Sequence, residues 1–167
     1  MKSKGLLVAG LVLLVVGIVG IVSLPYVGGW VAGSADYPTL GEQIYYTGYG
    51  EGGQIPRSIP GGRARGAGMM MGAACVDCHQ EDGRGGRLTM MMGRSIEVPD
   101  IRYSTLTSSH EESGETEPGW TDSEIVEAIR TGTEPSGEQL RAPMPRWDMT
   151  DAEVEAVIGY LKELSEP

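Results

Sequence analysis

The chain has 167 residues, 13 basic and 23 acidic, for a formal net charge of −10, with 26 glycines, no phenylalanine and two cysteines. Every acid lies at or after Asp36, so setting aside Lys2 and Lys4 leaves 11 bases and a net charge of −12 on the remainder, which excludes nucleic acid as a partner. Two cysteines exclude a multi-bridge disulfide framework, and a small Gly-rich domain without one calls for another staple, a bound cofactor being the natural candidate.

The first element is Gly5 to Leu24, GLLVAGLVLLVVGIVGIVSL, an uncharged run of 20 residues. At 1.5 Å rise per residue it spans the roughly 30 Å hydrocarbon core of a bilayer, so residues 1–24 read as an N-terminal transmembrane anchor. Lys2 and Lys4 on its short side hold that end in the cytoplasm, and Tyr26 and Trp30 stand where interfacial anchors belong. The expected location is therefore the bacterial cytoplasmic membrane, single pass, with the folded domain on the periplasmic, extracytoplasmic side. A cleaved secretory signal competes, because Ala32-Gly-Ser-Ala35 offers small residues near a cut. The apolar run is longer than the roughly 7–15 residues usual for a signal, and both readings export the domain.

Residues 25–38 turn to Gly, Pro and Ser and read as a flexible linker. The domain proper is 39–167. Thr39 caps a short helix, Leu40 to Tyr46, which stops at Thr47 before Gly48-Tyr-Gly-Glu-Gly-Gly53, and an inserted Gly/Pro/Arg loop occupies about 48–68. Thr121-Asp-Ser-Glu124 and Thr150-Asp-Ala-Glu153 both match the capping box, in which hydroxyl and carboxylate satisfy the first backbone donors reciprocally. The first predicted helix carries Ile125, Val126 and Ile129 on one face and ends before Gly132; the second carries Val154, Val157, Ile158, Leu161 and Leu164. No sustained period-2 run occurs, so the expected fold class is all-α with long loops. Seven arginines from Arg57 to Arg102 make a mildly basic sector, while Glu111 to Glu127 has acids and no base; a solvated surface and a docking role explain this asymmetry equally well.

Both cysteines fall in Cys75-Val-Asp-Cys78-His79. The CxxCH pattern has a specific mechanical reading: two thiols add across the vinyl groups of one haem, and the imidazole that follows ligates its iron. Zinc wants four ligands, and beyond these three the only remaining Cys or His is His110. A thioredoxin-type dithiol wants a strand-helix-strand setting that Gly-rich flanks do not supply. For the far face of the metal the candidate is Met144, in Arg141-Ala-Pro-Met-Pro-Arg-Trp147, since Pro143 and Pro145 hold its sulfur on a stiff, extended segment. Met149, His110 and the triplets Met69–Met71 and Met90–Met92 are its rivals, and a five-coordinate iron is a further alternative. The triplets are soft enough to hold Cu(I), but packing of polarisable sulfur against an apolar macrocycle is the preferred reading, so copper is not expected. Arg141 or Arg146 could pair with a haem propionate, and Trp147 could help bury the ring.

With these residues in view, the chain resembles a class I c-type cytochrome of the monohaem, membrane-anchored kind. Gly41-Glu-Gln-Ile-Tyr45 is similar to that family's N-terminal helix, Cys75 to His79 with Asp82-Gly-Arg-Gly85 to its haem-attachment segment, Pro143-Met144-Pro145 to its distal-ligand loop, and Val157 to Leu161 to its C-terminal helix. The resemblance implies a class I cytochrome c-like helical domain around one covalent haem c, His79/Met144 ligation, electron transfer rather than enzymatic turnover, and a close crossing of first and last helices with Gly41 against Tyr160. It departs from the family in the spacing of Gly41 and Cys75, 34 positions apart, and in Gln80, where the family often has Gly. The expected function is a one-electron carrier of a membrane electron-transport chain, with membrane or periplasmic redox proteins as partners. The alternatives are a haem c subunit of a larger membrane oxidoreductase complex, or a small haem peroxidase or ligand sensor, in which His110 could serve.

Overall fold

The computed structural model describes residues 36–60, 74–89, 93, 95–112 and 115–166. All described elements belong to the unit Tyr37–Pro167. The apolar segment Gly5 to Leu24, most of the 25–38 linker, residues 61–68 of the expected insertion and both Met triplets lie outside the described residues. Among the described residues no helix is long and apolar enough to cross a membrane.

Helix α1, Leu40–Thr47, starts at Thr39, whose hydroxyl accepts from the Glu42 N–H at 3.1 Å, and ends at Gly48, whose N–H donates to the Ile44 carbonyl. The last helix, α5, is Asp151–Glu163, and before it α4 is Asp122–Arg130; both open with complete capping boxes, at Thr150 and Thr121. Each cap is an exchange between residues three apart, so its signal is local in the sequence. The remaining helices among the described residues are single turns, α2 at Val76–His79 and α3 at Tyr103–Leu106.

Helices α1 and α5 cross with backbones in contact. A Cβ built on Gly41 would overlap the Ala156 carbonyl and stand 3.0 Å from the Tyr160 Cβ, so only glycine lets the two helices meet here. Around the crossing, Ile44, Tyr45, Val154, Val157, Tyr160 and Leu161 form the core, continuous with Ile55, Trp147 and Met149. Tyr45 and Tyr160 rings pack 5.1 Å apart at the centre.

The helical expectation gains one addition, short strands within the long loops. Among the described residues four two-stranded antiparallel ribbons run between the helices: β1 (Tyr49–Gly50) with β2 (Gly53–Gln54), β3 (Arg57–Ser58) with β8 (Arg146–Trp147), β4 (Gly86–Thr89) with β5 (Ser95–Val98), and β6 (His110–Glu112) with β7 (Glu115–Glu117). Their strands are two to four residues long, too short to leave an alternating hydrophobic signature. The expected insertion loop is likewise no plain loop over its described part. It turns back through β1 and β2, buries Ile55, and pairs Arg57 with Trp147 and Ser58 with Arg146. The Pro56 carbonyl extends that ladder by accepting from the Asp148 N–H at 2.9 Å.

Candidate functional site

Cys75 caps α2 and Cys78 lies on it, one turn apart; both are free and half-buried, and Cys75 packs against the core. Burial pushes the Cys75 thiol up to about 12 and raises Cys78 as well, the latter helped by the Asp77 carboxylate. An environment that penalises a thiolate does not penalise a neutral thioether, so the pair suits covalent attachment better than anionic metal ligation. Asp77 also accepts from the Ala74 N–H at 3.0 Å, which steadies the chain entering the helix.

His79 closes α2 and is 5% exposed. Its Nδ1 lies 3.1 Å from the Pro99 carbonyl, so the ring N–H donates there and Nε2 carries the free lone pair. Burial lowers its pKa, partly opposed by the Pro99 bond and the Asp100 charge, which keeps the imidazole neutral as a metal ligand must be.

The Pro99 carbonyl reaches His79 because the segment 80–86 folds tightly against 98–101. Gly85 N–H donates to the His79 carbonyl at 3.0 Å and Ile101 N–H to the Gly83 carbonyl at 2.8 Å. A Cβ on Gly85, at φ +65°, would overlap the Val98 and Pro99 carbonyls. Asp100 holds the next turn by accepting from Arg102 through both its backbone and its guanidinium. Gln80 adopts φ 64°, ψ 176°, backbone that glycine takes easily and other residues pay for. That is the physical content of its departure from the family's usual Gly. Beyond its local backbone bonds to Val76 and Gly83, its side-chain amide donates to the Gly85 carbonyl, and its own carbonyl accepts from the Tyr45 hydroxyl at 2.6 Å.

Met144 is half-buried in the turn before β8, its N–H donating to the Arg141 carbonyl at 3.2 Å. Its rival Met149 is 5% exposed and belongs to the core cluster beside Trp147 and Val154. The side chain of His110 and both Met triplets lie outside the described residues. Arg141 is exposed and its guanidinium has no hydrogen-bond partner among the described residues, whereas Arg146 donates to the carbonyls of Met144 and Leu140. Trp147 is 2% exposed, with the Arg57 guanidinium 5.3 Å over its ring.

Sequence reasoning missed the Pro99 carbonyl, the Tyr45 hydroxyl and the strap from Ile55 to Ser58. A carbonyl donated from 20 residues away has no residue-type signature, and a two-residue ladder spanning some 90 positions has no periodicity.

The residues fit a covalently held haem: a neutral imidazole with one nitrogen committed to a carbonyl, beside two half-buried thiols one turn apart. The family model described as Cytochrome c matches residues 63–165, more than half of the chain. No curated protein and no solved structure gives a significant match. Helix α1 precedes the matched span, yet it packs on α5 as the family resemblance implies. With its Cys75–Cys78–His79 motif carried inside that match, the chain belongs to the cytochrome c family, an electron-transfer protein whose Cys75 and Cys78 suit the covalent attachment of haem c.

Proposed function

We propose that this protein is a single-haem, one-electron carrier of a membrane electron-transport chain, in which His79 and Met144 would be the residues that hold the iron. The observation that carries the reading is the neutral, carbonyl-oriented imidazole of His79 directly behind the paired thiols, within the span of the family match. Bound haem c supplies an iron that takes up and gives up one electron, with no bond made to a substrate.

The chain's own residues govern the rest. Cys75 and Cys78 would hold the group in place by thioethers. His79 presents Nε2 because Pro99 holds its other ring nitrogen, and Met144 would contribute a neutral sulfur, a ligand that favours the reduced state more than a second imidazole would. Arg141, with its guanidinium free among the described residues, is the better placed of the two arginines to meet a propionate. Buried Trp147 and the surrounding core exclude water and disfavour the more highly charged oxidised state.

The segment Gly5 to Leu24 would then span the membrane and tether the domain on its extracytoplasmic side. It raises the effective concentration of the carrier at membrane oxidoreductases without any new contact. A haem subunit of a larger complex has the same site and differs in assembly.

The test is the optical spectrum of protein produced in a host with haem-attachment machinery. Colour that survives acid-acetone washing of the denatured chain is expected, together with a weak far-red ferric band and no carbon monoxide binding to the reduced form. Met144→Ala should abolish the far-red band while Met149→Ala keeps it. A colourless washed chain ends the reading; rapid carbon monoxide binding by the unaltered protein turns it to a peroxidase or sensor. Retention in the membrane fraction, lost when residues 1–24 are deleted, is the outcome expected of the tether.

A further inference from the structure

One guanidinium bridges both ends of the Met144 turn. Arg146 Nη2 donates to the Leu140 carbonyl at 2.7 Å and Nη1 to the Met144 carbonyl at 2.9 Å. Among the described residues no carboxylate pairs with it, so these neutral acceptors carry its charge.

The surroundings are shaped to receive it. Gly132 follows the end of α4 at φ +74°, and a Cβ there would overlap the guanidinium carbon and Nε of Arg146. The Gly132 carbonyl in turn accepts from the Leu140 N–H at 2.7 Å, which ties the far end of the turn to the same point. On its other side Arg146 is a strand residue, paired with Ser58, and the neighbouring ladder bond from Asp148 to Pro56 fixes that strand's course. The turn that carries Met144 is thus held by α4, by the strap ahead of the family-matched span, and by Arg146 between them.

We propose that Arg146 is a positioning residue that clamps the Leu140–Met144 turn and so sets how readily Met144 yields its place to an outside ligand. The inference rests on Met144 being the distal ligand. A thioether is a weak, uncharged donor, so its hold depends on how narrowly its backbone is confined; a loosened turn lowers its effective concentration and lets a competitor in. Hydrogen bonds from a charged donor to two carbonyls confine the backbone more strongly than neutral ones, and both are lost with the guanidinium.

The test uses ferric holoprotein titrated with imidazole, followed by loss of the far-red band, alongside the midpoint potential and a thermal melt. Arg146→Gln should reach half-saturation at an imidazole concentration at least about tenfold lower than the unaltered protein, equivalent to about 1.4 kcal/mol. Arg146→Lys, a single point donor, should fall between them. Gly132→Ala, which crowds the guanidinium without removing it, should shift the titration in the same direction and takes the place of Arg146→Gln if that variant does not fold.

Unchanged half-saturation in the folded variants overturns the clamp. So does a changed midpoint potential with unchanged imidazole binding, the signature of a propionate partner. A far-red band that persists in Met144→Ala overturns the ligand assignment itself, which separates that failure from failure of the clamp.

Discussion

The hydroxyl of Tyr45 donates to the carbonyl of Gln80 at 2.6 Å, joining the first helix to the residue directly behind His79. Tyr45 is fully buried, and burial pushes its phenol well above the ordinary range, so it stays protonated and a donor at all ordinary pH. Tyr45→Phe keeps the ring packing and leaves the Gln80 carbonyl with only the long bond from the Gly83 N–H, 3.4 Å. A loss of about 1–2 kcal/mol in denaturant unfolding is expected; an unchanged midpoint would show that the bond contributes nothing net.

Gln80 sits in backbone that favours glycine, and its side-chain amide supplies partial compensation through Gly85. Gln80→Gly relieves strain of about 1–3 kcal/mol and gives up one hydrogen bond of about 1 kcal/mol. The expected balance is a modest gain in melting temperature by calorimetry, and a clear drop would mean that the amide outweighs the strain.

At Gly41 a Cβ has no space between the helices, because its nearest neighbours are the Ala156 carbonyl and the Tyr160 Cβ. Gly41→Ala improves local helix propensity by about 1 kcal/mol, yet it must push α1 and α5 apart. Overpacking of this kind costs about 1–3 kcal/mol, so net destabilisation is expected by chemical unfolding. A more stable variant would place the helices farther apart than they are here.

Burial pushes the Asp100 carboxyl up, but hydrogen bonds and charge from Arg102 outweigh it and hold its pKa below the ordinary carboxylate value. A carboxylate depressed on folding stabilises the protein above its unfolded pKa of about 3.9, and the contribution disappears as pH falls through the folded value. Asp100→Asn should therefore be less stable than the unaltered protein near neutral pH, with the two unfolding midpoints converging in acid. Parallel curves from pH 7 down to pH 2 would show that the pair does not steady the turn beside Pro99.

The helices were legible because their signals are local. Thr39, Thr121 and Thr150 each meet partners within a few positions, and Val154 to Leu161 repeat with the period of the helix they form. The haem-attachment motif was legible for the same reason, since the two thiols and the imidazole must lie within one turn to serve one macrocycle. The apolar run from Gly5 to Leu24 speaks through composition and lies outside the described residues.

What the tertiary structure alone decided are contacts between segments with no local signature. Nothing around Pro99 announces that its carbonyl orients His79; nothing around Ser58 announces Arg146. Such partners are backbone groups or two-residue ladders brought together by chain closure over tens of positions, and backbone polarity is the same for every residue. By itself the sequence determined where the haem-attachment motif lies, because covalent attachment selects residue types at a fixed spacing. Only the folded chain decided how those side chains are oriented, because orientation depends on which distant carbonyl or guanidinium the core brings alongside.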